Sequence, residues 1–423
     1  MADRTALVIS YYFPPMGLSG VQRTFKFVKY LSKYGWKPIV LTALPNGYYA
    51  YDDSVLRELE NSEYEIFKTE GRKAKSGVTR IKTLKIPSYT YQKFGSALLQ
   101  TIYQPDSKIK WKKKAIELGS KIIEENNIDT IFATAPPFTG FLVARELSEK
   151  YKIPFVVDYR DVWVDNPFHF YATPMHKSYS VKLEKDILTH AEKVIVITRE
   201  AKEKLLQRYR FISHNDIQII PHGYDSEDFE TVKYVKPDPK KFTVTHSGLF
   251  QDDRSPKYFF KAVANLAKRN KDFAEAVELR FVGIMRRSHQ KLIKKYKLSD
   301  KTNLVGYVRH SEAVKHLIES DLLWLMLFDS VRTPGKLYEY FGAAKPILAC
   351  LPEGSMRKTA LESTSTIATD PKDVKAIENA LETFFKLWRG NNMPVPSDSF
   401  IEQYDRSLLT SKLARILFEA TQI

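Results

Sequence analysis

Two short stretches of this sequence hold side chains whose types and spacing suit chemistry. The first is T-P-G-K-L-Y-E, running from Thr333 to Glu339. If it is helical, Lys336 and Glu339 fall on one face, three positions apart. Lys336 then stands near an anion, while Glu339, one turn on, offers a carboxylate to a hydroxyl-bearing group such as a ribose. The preceding loop, Asp329–Gly335, carries a turn signal in Thr-Pro-Gly. Loop amides at a helix start suit a diphosphate. A buried helix with a solvated lysine and glutamate fits the same residues equally. The second stretch is D-Y-R-D-V-W, with Asp158, Arg160 and Asp161 grouped behind an apolar run. At the carboxyl end of a strand these charged groups stand where chemistry is usually done in open α/β sheets, or they simply brace a loop as an Asp–Arg pair.

Both stretches need strands to hold them. Asp321–Phe328 and Pro346–Leu351 are apolar runs of buried-strand length on either side of Lys336, and Lys336–Ala344 reads as the helix between them. Strand, loop, helix, strand is the parallel crossover, and ligands sit at the carboxyl ends of such strands. The same unit recurs along the chain. Thr5–Tyr11 is a first strand, followed by Pro14-Pro15, by Gly17 and Gly20, and by a helix with Val21, Phe25, Val28 and Leu31 at helical spacing. Asp129–Ala135, Pro154–Asp158 and Lys193–Thr198 predict further strands. Phe242–Ser247 leads into Gly248 and a loop with Arg254, ahead of a helix from Lys257. A glycine-bearing loop between strand and helix lets backbone approach a phosphate, although the G-x-G-x-x-G spacing is absent. Residues 44–110 have few clean periods and read as an elaborated loop-and-helix region.

At 423 residues the chain is long enough for two α/β domains. A hydrophobic share of 43% beside 27% charged residues is globular composition. The single cysteine, Cys350, excludes an intramolecular disulfide and fits a reducing compartment. The apolar run at the amino terminus is too short for a signal peptide, and no stretch approaches a transmembrane helix. The net charge of +16 calls for an anionic partner. Lys108, Lys110, Lys112, Lys113 and Lys114 surround Trp111 and suit an anionic membrane surface with the indole at the interface, or a solvated helix face. No nucleic-acid motif is present.

P-G-K-L-Y-E-Y-F-G-A-A-K-P-I-L-A resembles the donor-binding segment of GT-B glycosyltransferases, in particular glycosyltransferase family 4. Y-F-P-P-M-G-L-S-G-V-Q-R is similar to the family's amino-terminal loop, and H-G-Y-D-S-E-D-F to its domain-junction motif. T-A-P-P-F-T-G and D-Y-R-D-V-W resemble motifs of a branch that builds bacterial surface polysaccharides. The resemblance implies that Glu339 holds the donor's ribose and that Gly17, Gly20, Gly248, Thr333, Pro334, Gly335, Lys336 and Leu337 line the donor site. It implies further that Arg254 or Lys257 supplies a cation to the diphosphate, and that Asp161, Arg160 and Asp158 form the catalytic group. The sequence departs from the pattern at Val331, eight positions before Glu339, where the family often has a second glutamate.

The expected fold is therefore α/β, with two facing Rossmann-like domains of the GT-B type and a donor cleft between them. Residues 1–230 are expected on the acceptor side, 231–404 around the nucleotide-sugar, and 405–423 as a helix crossing back to the first domain. The expected activity is retaining transfer from a nucleotide-sugar to a glycan or lipid-linked acceptor in surface-polysaccharide synthesis. The resemblance implies no cofactor and no metal, with fixed donors in place of a metal, and the sequence agrees to the extent that no Asp-x-Asp occurs. The expected place is the cytoplasm, peripheral on the inner membrane's cytoplasmic face. A sugar-nucleotide epimerase of the same fold, or a non-catalytic binder of membranes or carbohydrate, remains the alternative.

Overall fold

The computed structural model describes residues 4–16, 19–44, 63–69, 100–232, 238–250 and 255–422. Gly17, Arg254 and most of the 44–110 region lie outside them. The chain divides into two compact units, Met1–His222 with Arg406–Ile423, and Gly223–Asp405.

The first unit is built on seven parallel strands: β1 (Arg4–Ile9), β2 (Trp36–Ala43), β3 (Glu65–Thr69), β4 (Thr130–Ala135), β5 (Phe155–Tyr159), β6 (Lys193–Val196) and β7 (Ile217–Ile219). Their spatial order is β3-β2-β1-β4-β5-β6-β7. A parallel sheet is covered on both faces, so its inner strands read as unbroken apolar runs. Alternate residues go to opposite sides. Leu7, Ile9, Ile131, Ala133, Phe155 and Val157 pack beneath the helices Trp111–Glu125 and Thr139–Tyr151. Ala6, Val8, Val40, Phe132 and Val156 face Phe25 and Val28 of the helix Ser19–Leu31, together with Leu409, Leu413 and Leu417 of the last helix, Arg406–Ala420.

The second unit has six parallel strands: β8 (Phe242–Ser247), β9 (Val277–Val282), β10 (Thr302–Gly306), β11 (Leu322–Met326), β12 (Ile347–Cys350) and β13 (Thr366–Thr369). Their order is β10-β9-β8-β11-β12-β13. Strand order reverses direction between β1 and β4 in one unit and between β8 and β11 in the other. These switch points leave a crevice at the carboxyl ends of the strands. Thr333–Glu339 follows β11, at the second switch point, and Asp158–Asp161 lie at the end of β5, one strand beyond the first.

One expectation needs correcting. Trp111 is no interfacial residue: it is buried, its Nε1 donates to Thr69 Oγ1 at 3.0 Å, and its ring meets Tyr11 edge-on at 5.2 Å. It opens the inward stripe Trp111, Ala115, Gly119, Ile122 of its helix. Of the neighbouring lysines, Lys108 lies 5.3 Å from the centre of the Tyr11 ring and Lys112 pairs with Glu146 at 2.7 Å, while Lys113 and Lys114 are exposed.

Candidate active site

In the second unit the chain leaves three neighbouring strands through glycines. Gly248, after β8, donates its amide to the Val282 carbonyl at 2.6 Å, and Gly283, after β9, donates to the Gly306 carbonyl at 2.7 Å. Gly248 has φ +136° and Gly283 φ +122°, conformations that side-chain-bearing residues rarely adopt. Space demands glycine as well. A Cβ at Gly283 would lie 2.5 Å from the Gly248 carbonyl oxygen, and one at Gly248 would lie 1.1 Å from Lys336 Nζ and 2.4 Å from its Cε. The lysine side chain therefore crosses directly over the Gly248 backbone, and its ammonium stands at the β8 exit beside the switch point.

The helix that carries Lys336, Lys336–Gly342, is fixed from below. Tyr340 is buried; its hydroxyl accepts from the Ser247 amide at 2.9 Å and donates to the Trp324 carbonyl at 3.3 Å. Burial pushes the Tyr340 phenol well up, so it stays protonated and able to donate. Ahead of the helix, Asp329 Oδ1 accepts from the amides of Val331 (3.2 Å) and Arg332 (2.8 Å), which shapes the loop. Thr333, Pro334, Gly335 and Glu339 are half-buried around it. Leu337 differs from them. It is wholly buried in the cluster with Leu325 and Ile347, and its amide donates to the Pro334 carbonyl at 3.3 Å. Its side chain holds the helix down and does not face a ligand. Lys257 is exposed at the first position of the helix Lys257–Arg269, its Nζ 5.5 Å from the Tyr258 ring centre.

In the first unit the residues at the end of β5 take different places. Asp158 is completely buried. Its carboxylate accepts from Arg23 Nε at 3.0 Å, from an Arg23 terminal nitrogen at 2.8 Å and from Thr134 Oγ1 at 2.8 Å. Arg23 also donates to the carbonyls of Pro221 (2.7 Å) and Ile220 (2.9 Å). Asp158 is thus closed in by Arg23 and Thr134, which departs from the expectation of a carboxylate open to substrate. Arg160 donates to the carbonyls of Gly20, Pro136 and Ala135, tying the first helix to the end of β4. Burial pulls its pKa down, against the pull of Asp158 and Asp161. Asp161 is exposed at the same strand end. Beside this group, burial and the guanidiniums of Arg23, Arg406 and Arg160 hold the His222 imidazole well below its ordinary range, so it is neutral at pH 7. Neither the Arg23 bond nor this histidine's environment is visible in local sequence. The glycines at the ends of β8, β9 and β10 are: each of these short strands runs into or ends in Gly.

A carboxyl on the far face of the same sheet sets a pH dependence. Glu184 is buried in the helix Pro174–His190 and accepts from the Tyr209 hydroxyl at 2.7 Å. Burial raises its pKa from 4.5 to about 8. The folded state therefore binds more protons than the unfolded one between those values, and stability falls as pH rises through that window. The slope is about 1.4 kcal/mol per pH unit at most. Glu184→Gln keeps an acceptor for Tyr209 and removes the titration. Denaturant midpoints should coincide with wild type near pH 5 and exceed it near pH 8. Parallel pH profiles for the two proteins would assign the dependence to another group.

Known families recognise this chain in two consecutive blocks. Residues 93–228 match Glycosyltransferase Family 4 and residues 227–394 match Glycosyl transferases group 1. HepE from Anabaena, solved with UDP and glucose, superposes with a TM-score of 0.66 at 13% identity, over 98% of this chain and 99% of that one. Sucrose-phosphate synthase from Thermosynechococcus elongatus gives 0.66 at 15% identity, over 98% and 99%. A Listeria monocytogenes protein named as a UDP-N-acetylglucosamine 2-epimerase gives 0.60 at 12%, over 97% and 95%. No curated protein sequence is significantly similar. The fold is GT-B, two parallel sheets each flanked by helices. The two matched blocks relate the chain to the family 4 and group 1 glycosyltransferases. Among the described residues no cluster of three or more His, Cys, Asp or Glu is arranged to hold a metal, and no helix is long and apolar enough to cross a membrane.

Proposed function

We propose that the protein is a retaining, metal-independent glycosyltransferase of the family 4 type. It takes a sugar from a nucleotide-sugar and delivers it to a glycan or lipid-linked acceptor in surface-polysaccharide synthesis, on the cytoplasmic side of the membrane. Residues 231–404 serve the donor and 1–230 the acceptor. The observation that carries this reading is Lys336 lying across Gly248 at the β8–β11 switch point. A bare backbone under a fixed ammonium suits a diphosphate. As the bond between the anomeric carbon and the diphosphate breaks, negative charge grows on the leaving group, where a preplaced cation lowers the barrier. Arg254 supplies a second cation. Glu339, on the same helical face one turn on, accepts from the ribose hydroxyls, and the exposed Asp161 orients the acceptor hydroxyl with Arg160 behind it.

A panel of nucleotide-sugars, followed by product analysis, tests the activity. Release of nucleoside diphosphate supports transfer. Recovery of an epimerised nucleotide-sugar supports the second reading, a GT-B epimerase, which the fold likeness to the Listeria protein favours. The donor site has its own test. Glu339→Ala loses hydrogen bonds to a charged acceptor, a cost of about 1.5–3 kcal/mol, so nucleoside-diphosphate affinity should fall roughly tenfold to a hundredfold. Glu339 is only half-buried, so the denaturation midpoint should hold. Unchanged nucleotide affinity would remove Glu339 from the site.

A further inference from the structure

Strand β8 pairs with its two neighbours over different lengths. Its ladder with β9 runs from Phe242 to Ser247, whereas its ladder with β11 joins only Val244 and Thr245 to Leu322 and Leu323. The strands at the switch point therefore part after Thr245. Had the ladder gone on in the same register, the Ser247 amide would next have donated to the Trp324 carbonyl. A hydroxyl stands between those two groups instead. Tyr340 Oη accepts from the Ser247 amide at 2.9 Å and donates to the Trp324 carbonyl at 3.3 Å. All three residues are buried, so water does not replace it. The two ends of this bridge are not equal. The Trp324 carbonyl has a second donor in His246 Nδ1 at 2.9 Å, while the Ser247 amide, among the described residues, has the phenol alone.

We propose that Tyr340 is a positioning residue of the donor site: its hydroxyl wedges β8 from β11 at the switch point and sets the Gly248 backbone under Lys336. Lys336 and Tyr340 stand four residues apart on the helix Lys336–Gly342 and so share a face. They take hold of consecutive residues at the end of β8, Tyr340 the amide of Ser247 and Lys336 the space over Gly248. The grip passes on to β9. Gly248 donates to the Val282 carbonyl, and a Cβ at Gly283 would lie 2.5 Å from the Gly248 carbonyl oxygen, so that carbonyl rests against Gly283. Without the hydroxyl, β8 closes on β11 and draws Gly248 from beneath the lysine, or it keeps a buried amide unpaired. Either way the backbone meant for a diphosphate loses what holds it. The inference rests on the donor-site reading and extends it to a wholly buried residue that acts through Ser247 and Gly248.

Amide hydrogen exchange of the full chain, with calorimetric titration by UDP, GDP and ADP in turn, tests it. In the wild type the amides of Ser247, Gly248 and Gly283 should exchange as slowly as that of Val244, although they lie at strand ends; exchange more than about tenfold faster overturns the proposal without any variant. Tyr340→Phe keeps the ring and its packing. It should speed exchange at Gly248 and Gly283 at least about tenfold while β12 keeps its wild-type rates, and weaken binding of the preferred diphosphate about tenfold. Equal acceleration throughout the second unit would show a merely structural role and overturn the proposal. In a Lys336→Met background the same change should cost less than about twofold in affinity, because the ammonium it positions is gone. Equal losses in both backgrounds would overturn it. So would an affinity that Lys336→Met lowers and Tyr340→Phe does not, a result that leaves the donor-site reading standing. If Lys336→Met leaves the affinity unchanged, or none of the three diphosphates binds, the donor-site reading fails and this inference fails with it.

Discussion

Gly248→Ala should lose both stability and nucleotide affinity, whereas Lys336→Met should lose only the second. At Gly248 the alanine methyl would lie 1.1 Å from where Lys336 Nζ now stands. The flexible lysine must leave its place over the backbone. The φ of +136° at Gly248 is also one that L-residues rarely hold, and such strain costs about 1–3 kcal/mol. Lys336→Met removes the charge while keeping an unbranched stem over Gly248. It should cost about 1.5–3 kcal/mol of nucleoside-diphosphate binding, roughly tenfold to a hundredfold in Kd. Turnover should fall further, by about a hundredfold to a thousandfold, because the charge it faces grows as the leaving group departs. Denaturant melts and calorimetric titration with a nucleoside diphosphate separate the variants. If Gly248→Ala binds nucleotide like wild type, the ammonium above it is not part of the donor site.

The local arrangement around Gly248 and Lys336 was largely readable because it is set by neighbouring residues. Gly248, Gly283 and Gly306 each close a short strand, and Lys336 follows the apolar run Leu322–Phe328 by a turn that carries Thr-Pro-Gly. Doubly covered parallel strands leave such continuous runs in a sequence. What was not readable depends on pairs far apart in the chain. Arg23 meets Asp158 across 135 positions, and nothing near either residue announces the bond. Trp111 shows a different failure. Its inward stripe continues through Ala115 and Gly119, small residues that do not read as an apolar face. They are small because the neighbouring helix is close: a Cβ at Gly119 would stand 2.6 Å from Leu147 Cδ1. The five lysines around Trp111 masked a core position. Leu337 sits inside a motif whose neighbours face outward, and only the helix phase separates it from Lys336 and Glu339.

Asp158→Asn should be the most destabilising of these changes, and its pattern distinguishes a positioning group from a reacting one. Arg23 and Asp158 are 3% and 0% exposed, with the guanidinium against both carboxylate oxygens. Asparagine removes the negative charge and leaves the guanidinium buried without an opposite charge, a loss of about 3–5 kcal/mol. Arg23 is also held by the carbonyls of Ile220 and Pro221, so it cannot swing to water without freeing them. An Arg23→Met/Asp158→Leu double variant removes both charges together. It forfeits the two carbonyl bonds, about 1 kcal/mol each, but leaves no uncompensated charge, and should unfold at higher denaturant than Asp158→Asn alone. A double variant as unstable as the sum of its single changes would deny the coupling. A reacting carboxylate behaves otherwise: Asp158→Asn would then abolish turnover at an unchanged midpoint. Because no face of Asp158 is open and its oxygens are held by Arg23 and Thr134, the structure favours the loss of stability, with any fall in activity following from movement of Arg23 and the chain it holds just before His222.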